Sequence, residues 1–327
     1  MMKKTWKPSA SIKDLVQRAK IIENIRLFFK KNKILEVETP ILSQFTTTDA
    51  NLTPFSTSYY SPYNDNNSIK KKLWLSTSPE YHMKRLLAAQ SGSIYQICHS
   101  FRNKEFGRYH NPEFTMLEWY QIDCKMKVFM KEVDRFFQKI LNFNKSDQIS
   151  YQEIFIKYLN IDPLSANSID ILKIFKLLDL EHLISDEIDK NKLIETLFTV
   201  KIQPFLGEKN PLFVYHFPAE QASLAFVNEN DSRVTERFEI FFKGIELGNG
   251  FYELTDYSEH KKRFKKDNKN RFKENLSPRK IDNYFLNAIR YGLPSCSGIA
   301  IGLDRIIMIA LKKKSIDQVI SFSFNRS

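Results

Sequence analysis

Ser100-Phe101-Arg102-Asn103-Lys104-Glu105-Phe106-Gly107-Arg108-Tyr109-His110-Asn111-Pro112-Glu113-Phe114-Thr115-Met116-Leu117-Glu118-Trp119-Tyr120 is the most informative stretch of the chain. An apolar strand ends at Arg102, a polar loop carries Arg108, His110 and Asn111, and a second strand returns with Phe114, Glu118 and Tyr120. Residues 93–102 and 113–122 are therefore expected to pair as a hairpin. It would present cations, a flat ring and carboxylates together. An arginine fork neutralises phosphate, an aromatic face stacks on a base, and a carboxylate pairs with an ammonium group. The set suits a nucleoside triphosphate and an amine-bearing substrate.

Upstream, residues 11–32 read as an amphipathic helix started by Ser11 and Asp14, with Leu15, Ala19, Ile22, Ile25 and Phe29 at helical spacing. A strand over 35–42 follows. Residues 43–72 are expected to be irregular, with loops at Pro54, Pro62 and 63–67. Leu73-Trp74-Leu75 reads as a short strand, and Ser78 as the cap of a helix opening at Pro79. Downstream, 126–143 is expected to be a helix burying Val128, Phe129, Val133, Phe136, Phe137 and Ile140. A mainly helical insertion covers about 144–211. Segments 234–242 and 245–255 read as strands turning at Lys243-Gly244, and 257–275 and 281–291 as helices. Mostly antiparallel β-sheet flanked by helices gives an α+β fold.

Glu239, Glu246 and Glu253 recur seven residues apart. Across the turn, Glu239 and Glu246 are expected to face one another. Two carboxylates with phosphate oxygens and water make a hard, octahedral Mg²⁺ site.

The chain has 327 residues, 42% hydrophobic and 13% aromatic, enough for a sizeable core and unlike a disordered chain. No signal peptide is expected from its opening residues, and no apolar run reaches membrane-spanning length. The three cysteines, Cys98, Cys124 and Cys296, are widely spaced, as expected of reduced thiols in a cytoplasmic protein, and lack zinc-site spacing. A net charge of +12 favours acidic partners without identifying one.

The 100–120 run resembles motif 2 of the class II aminoacyl-tRNA synthetases, in its lysyl form. Ser297-Gly298-Ile299-Ala300-Ile301-Gly302-Leu303-Asp304-Arg305-Ile306-Ile307 resembles motif 3, and Leu35-Glu36-Val37-Glu38-Thr39-Pro40-Ile41-Leu42 resembles motif 1, the dimer-forming segment of that family. The resemblance implies a class II catalytic fold, with residues 1–327 as one catalytic domain interrupted by the insertion, and a homodimer. It implies ATP as substrate and Mg²⁺ held by Glu239 and Glu246. Arg102 would hold the α-phosphate and the substrate carboxylate, and His110 and Arg305 the γ-phosphate. Phe114 and Arg305 would sandwich the adenine, with Asn103, Lys104, Asn111, Leu247 and Gly302 completing the nucleotide site. Glu80 would take the amine near the carboxylate, with Ser78 and Pro79 also in the substrate-binding set. Glu118, Tyr120 and Glu253 would take the distal ammonium, with Asn249, Phe251 and Ala300 lining the pocket. The implied reaction is adenylation of an amino acid, with Arg102 and Arg305 as its catalytic residues.

Only ten residues precede the first expected helix, so no anticodon-reading domain is expected, nor tRNA binding. That pattern resembles the free-standing lysyl-synthetase paralogues whose acceptor is a lysine side chain of elongation factor P and whose amino acid is (R)-β-lysine. Ala300 fits, since the tRNA-charging members carry glycine there, and a methyl group disfavours an amine on the α-carbon. Lys104 stands where motif 2 has an acid accepting the adenine amino group. A lysine side chain accepts no hydrogen bond, which leaves a backbone carbonyl for that contact. Lys33 stands where a glycine precedes motif 1, and Asn32 is expected to take the left-handed cap in its place. Two rivals remain at this stage: a compact synthetase charging tRNA or another RNA with lysine, and an inactive paralogue serving as a binding or regulatory protein.

Overall fold

The structure, a computed structural model, describes residues 6–60, 70–184 and 189–327. The loop expected at Pro62 and 63–67 lies outside these, as do the first five residues. The chain forms two compact units: Met1–Asp123 with Thr255–Cys296 and Ala300–Ser327, and Cys124–Leu254 with Ser297–Ile299.

The first unit opens with α1 (Ile12–Lys31), where the Ser11 side chain accepts from the Asp14 amide and Ile25 and Phe29 are buried. Strand β1 is only Leu35–Glu36, parallel to β5 (Ile94–Phe101). The expected strand over 35–42 breaks there. Val37 donates one further bond to the Tyr95 carbonyl, and Pro40 has no amide hydrogen with which to continue the ladder. The chain then enters a second sheet as β2 (Leu42–Ser43), alongside β3 (Ser56–Tyr60) and β4 (Lys70–Leu75), in the order β2-β4-β3. So 43–72 is not wholly irregular. Strand β3 escaped notice because most of its residues are exposed and polar, which leaves no apolar alternation to read. The cap at 32–33 also differs from expectation. Asn32 has φ −86°, and Lys33 itself takes the left-handed conformation at φ 56°.

Helix α2 (Glu80–Ala88) begins one residue later than expected, with Pro79 in the cap position, yet the Ser78 hydroxyl still accepts from the Glu80 amide at 3.0 Å. Strand β5 pairs antiparallel with β6 (Glu113–Ile122), which is the expected hairpin.

In the second unit, α3 (Met126–Leu141) buries Phe129, Val133, Phe136 and Phe137. Val128 is exposed, because the buried stripe runs through Met126, Phe129 and Met130 and turns position 128 outward. The 144–211 segment is not purely helical. Strand β7 (Asp147–Ser150) precedes α4 (Tyr151–Leu159), α5 (Ser168–Leu177) and α6 (Lys190–Leu197), and lies parallel to β8 (Leu212–Tyr215). Tyr151, Phe155, Phe175, Leu197, Phe198 and Phe241 pack in one apolar cluster there. Strands β9 (Arg237–Phe242) and β10 (Ile245–Tyr252) follow, turning through Lys243 (φ 50°) and Gly244 (φ 74°). Two successive positive φ values match the right-handed twist of a tight hairpin.

The chain returns to the first unit with α7 (Tyr257–Lys273) and α8 (Asn283–Gly292). Strand β11 (Cys296–Gly302), whose residues are divided between the units, runs directly into α9 (Leu303–Ala310) without an intervening turn. The α+β expectation holds: β2–β4, β3–β4, β5–β6, β8–β9 and β9–β10 are antiparallel pairs, with helices around them.

Candidate active site

In the first unit the β5–β6 register sets Ser100 against Phe114, Gln96 against Glu118 and Ile94 against Tyr120. Alternate residues of β6 share a face, so Phe114, Glu118 and Tyr120 lie along one line. Glu118 is 1% exposed. Its carboxylate accepts from the Ser78 hydroxyl at 2.7 Å and the Tyr120 hydroxyl at 2.6 Å. Burial, and then the charge of Glu80, push its pKa up to about 7, against the two hydroxyl donors. A buried carboxylate that a cation would stabilise is what an ammonium-bearing ligand requires. Glu80 itself pairs with Lys84 at 2.6 Å.

Arg102 lies just past β5, its guanidinium 5.2 Å from the centre of the Phe114 ring. Glu105 lies 4.0 Å from it. The other two phosphate-binding candidates also meet: Arg305 Nη2 stands 2.7 Å from His110 Nε2. The arginine is a donor only, so that contact requires a neutral imidazole protonated on Nδ1. Arg305 Nε donates to the Tyr109 carbonyl at 3.2 Å. Asn111 is occupied by the backbone at both ends of its amide, donating to the Glu113 carbonyl at 2.6 Å and accepting from the Phe324 amide at 3.1 Å. Lys104 adopts φ 68°, with its amide donating to the Asn103 side chain at 2.8 Å. Sequence reasoning missed Asp304. This buried acid accepts from the Thr115 amide at 2.7 Å and pairs with Arg18 at 2.6 Å, tying the start of α9 to β6 and α1. The available signal was an acid in the first turn of a helix, beside the motif arginine.

In the second unit, Glu239 and Glu246 do not face one another as expected. A bulge between Glu246 and Gly248 shifts the register, so Glu239 lies opposite Asn249 and Glu246 opposite Phe241. An extra residue on one strand moves every later partner by one. The two acids remain close enough for Glu246 to help raise the Glu239 pKa, with burial the larger cause and the Arg237 cation opposing both. Arg237 is the second group that the sequence left unmarked. It pairs with Glu239 at 2.5 Å, donates to Asn249 at 3.3 Å and to the Gln221 carbonyl at 2.6 Å, and lies over the Phe217 ring at 4.6 Å. Its signal was the two-residue spacing from Glu239 on one strand. Glu253 is buried, and Asn249 and Phe251 are partly so. Among the described residues no cluster of three or more His, Cys, Asp or Glu is placed for a metal. Mutual repulsion of Glu239 and Glu246 in a buried setting is nevertheless what a divalent cation would relieve. Two carboxylates suit Mg²⁺ whose remaining ligands are phosphate oxygens and water.

The chain belongs to the class II tRNA synthetases of the D, K and N group, whose family model matches residues 5–326. Among curated relatives, it is 68% identical over 327 residues to the elongation factor P–(R)-β-lysine ligase of Buchnera aphidicola subsp. Schizaphis graminum (strain Sg), covering 100% of both chains. It is 65% identical over 326 residues to the protein of that name from the Acyrthosiphon pisum subspecies (strain Tuc7), again covering 100% of both. It is 54% identical over 322 residues to the one from the Baizongia pistaciae subspecies (strain Bp), covering 98% of each. Among the described residues no helix is long and apolar enough to cross a membrane.

Proposed function

We propose that this chain activates (R)-β-lysine with ATP and joins it to a lysine side chain of elongation factor P. The observation that carries this reading is the end-to-end match to relatives bearing that ligase name. The buried Glu118 site, suited to an ammonium group, agrees with it. The β-lysine carboxylate attacks the α-phosphorus of ATP, forming an acyl–phosphate bond as the bond to pyrophosphate breaks. The ε-amine of the acceptor lysine then attacks the acyl carbon, AMP leaves, and an amide forms with loss of a proton. Positioning and charge neutralisation supply the rate, with no general base required for the first step.

In this reading Arg102 neutralises the α-phosphate and swings from the Phe114 ring to do so, freeing that ring for the adenine. Arg305 and His110 hold the γ-phosphate. Glu118 and Tyr120 take the distal ammonium, and Glu80 the amine nearer the carboxylate. Glu239 and Glu246 would hold Mg²⁺, which offsets triphosphate charge when bound. The chain works as a cytoplasmic homodimer formed through motif 1 and binds no tRNA. Pyrophosphate exchange with α-lysine and with β-lysine, followed by transfer to elongation factor P or to tRNA, tests the reading. Exchange driven by β-lysine with transfer to the factor is expected. Transfer to tRNA would overturn it in favour of a compact synthetase, and no exchange with either isomer in favour of an inactive paralogue.

A further inference from the structure

Lys84 lies one turn after Glu80 on α2, and its side chain is 0% exposed while that of Glu80 keeps 23%. An ammonium group taken wholly out of water is costly unless paired. An ordinary i, i+4 pair on a helix surface returns only a few tenths of a kcal/mol, so helix stability does not explain this one. Lys84 Nζ donates to Glu80 Oε1 at 2.6 Å. Near it stands His260 of α7, also 0% exposed, with Nδ1 3.0 Å from the Asp256 carbonyl oxygen. Burial first, and the Lys84 cation second, drive the His260 pKa down to about 3, so the imidazole adds no charge. The Glu80 carboxylate in turn acts on Glu118.

We infer that Lys84 is a positioning residue of the amino-acid site: from inside the fold it holds the Glu80 carboxylate in one orientation, ready for the substrate amine. The inference rests on the proposed role of Glu80 as receiver of that amine. Lys84 touches no substrate in this reading and acts on the amine site through its bond to Glu80.

The test is pyrophosphate exchange by the full chain, with KM and kcat measured for β-lysine and KM for ATP. Glu80→Gln and Lys84→Gln are each expected to raise KM for β-lysine about tenfold or more, with kcat and KM for ATP within about threefold, the pattern of lost ground-state binding. The double variant Glu80→Gln/Lys84→Gln should be no worse than Glu80→Gln, because both changes remove one interaction. If Glu80→Gln leaves KM for β-lysine unchanged, the assigned role of Glu80 falls and the inference with it. If Glu80→Gln raises KM and Lys84→Gln does not, the inference alone falls. Should Lys84→Gln fail to fold, the uncharged pair Glu80→Gln/Lys84→Met replaces it. A further rise in KM beyond Glu80→Gln would then show that Lys84 acts by another route and overturn the inference.

Discussion

The Tyr120 hydroxyl donates to Glu118 Oε1 over 2.6 Å, two residues apart on one face of β6. The bond binds the charged form of an acid that burial otherwise drives toward neutrality. A protein without substrate therefore contains a carboxyl that titrates near neutral pH. The folded pKa is about 7 against an ordinary 4.5, so the folded state holds this proton more tightly than the unfolded chain does. Its contribution to stability is full below about pH 4.5 and is lost as the pH rises through about 7. Glu239, raised in the same direction, acts in the same window. The melting temperature of the free protein should fall across that interval, and Glu118→Gln should flatten the fall in part. A slope unchanged in Glu118→Gln would rule out Glu118 as its source.

Arg102→Ala should lower the rate of adenylate formation roughly a hundredfold, the scale of ~3 kcal/mol for one preorganised donor. Pyrophosphate exchange measures it. A rate within about threefold of the parent would remove Arg102 from the α-phosphate.

Ala300→Gly should shift preference toward α-lysine by about tenfold relative to β-lysine, the effect expected of one methyl group in a substrate pocket. Adenylation of both isomers by parent and variant supplies the ratio, and an unchanged ratio would clear Ala300 of any part in selectivity.

Gly250→Ala should destabilise the second unit by ~1–3 kcal/mol, the usual penalty of overpacking. A Cβ at Gly250 would lie 2.3 Å from Cζ of Phe238, whose ring is fully buried. Urea denaturation measures the loss, and Phe238→Leu in the same chain should restore part of it. An Ala variant as stable as the parent would mean the Phe238 ring can move aside.

Sedimentation velocity at micromolar concentration should show a homodimer. Motif 1 leaves Leu35 54%, Ile41 40% and Leu42 48% exposed, an apolar stretch suited to a self-complementary twofold contact. Charged substitutions at Ile41 and Leu42 should dissociate it, and a monomeric parent would contradict the assignment.

Helical spacing over 11–32, the two apolar runs flanking the polar 103–112 loop and the Lys243-Gly244 turn are local properties, written in the order of side chains and in backbone preference. The sequence by itself therefore determined the hairpin, the helices and the line of Phe114, Glu118 and Tyr120. What the tertiary structure decided depends on partners distant in sequence or on a register shift. The bulge after Glu246 moved Asn249 opposite Glu239, and no residue type announces such an extra position. Arg18 reaches Asp304 from the far end of the chain, and Lys84, fully buried on α2, lies near His260 of α7, about 180 residues on. A charged residue read alone resembles a solvated surface group, and only burial turns it into a fixed element of a site.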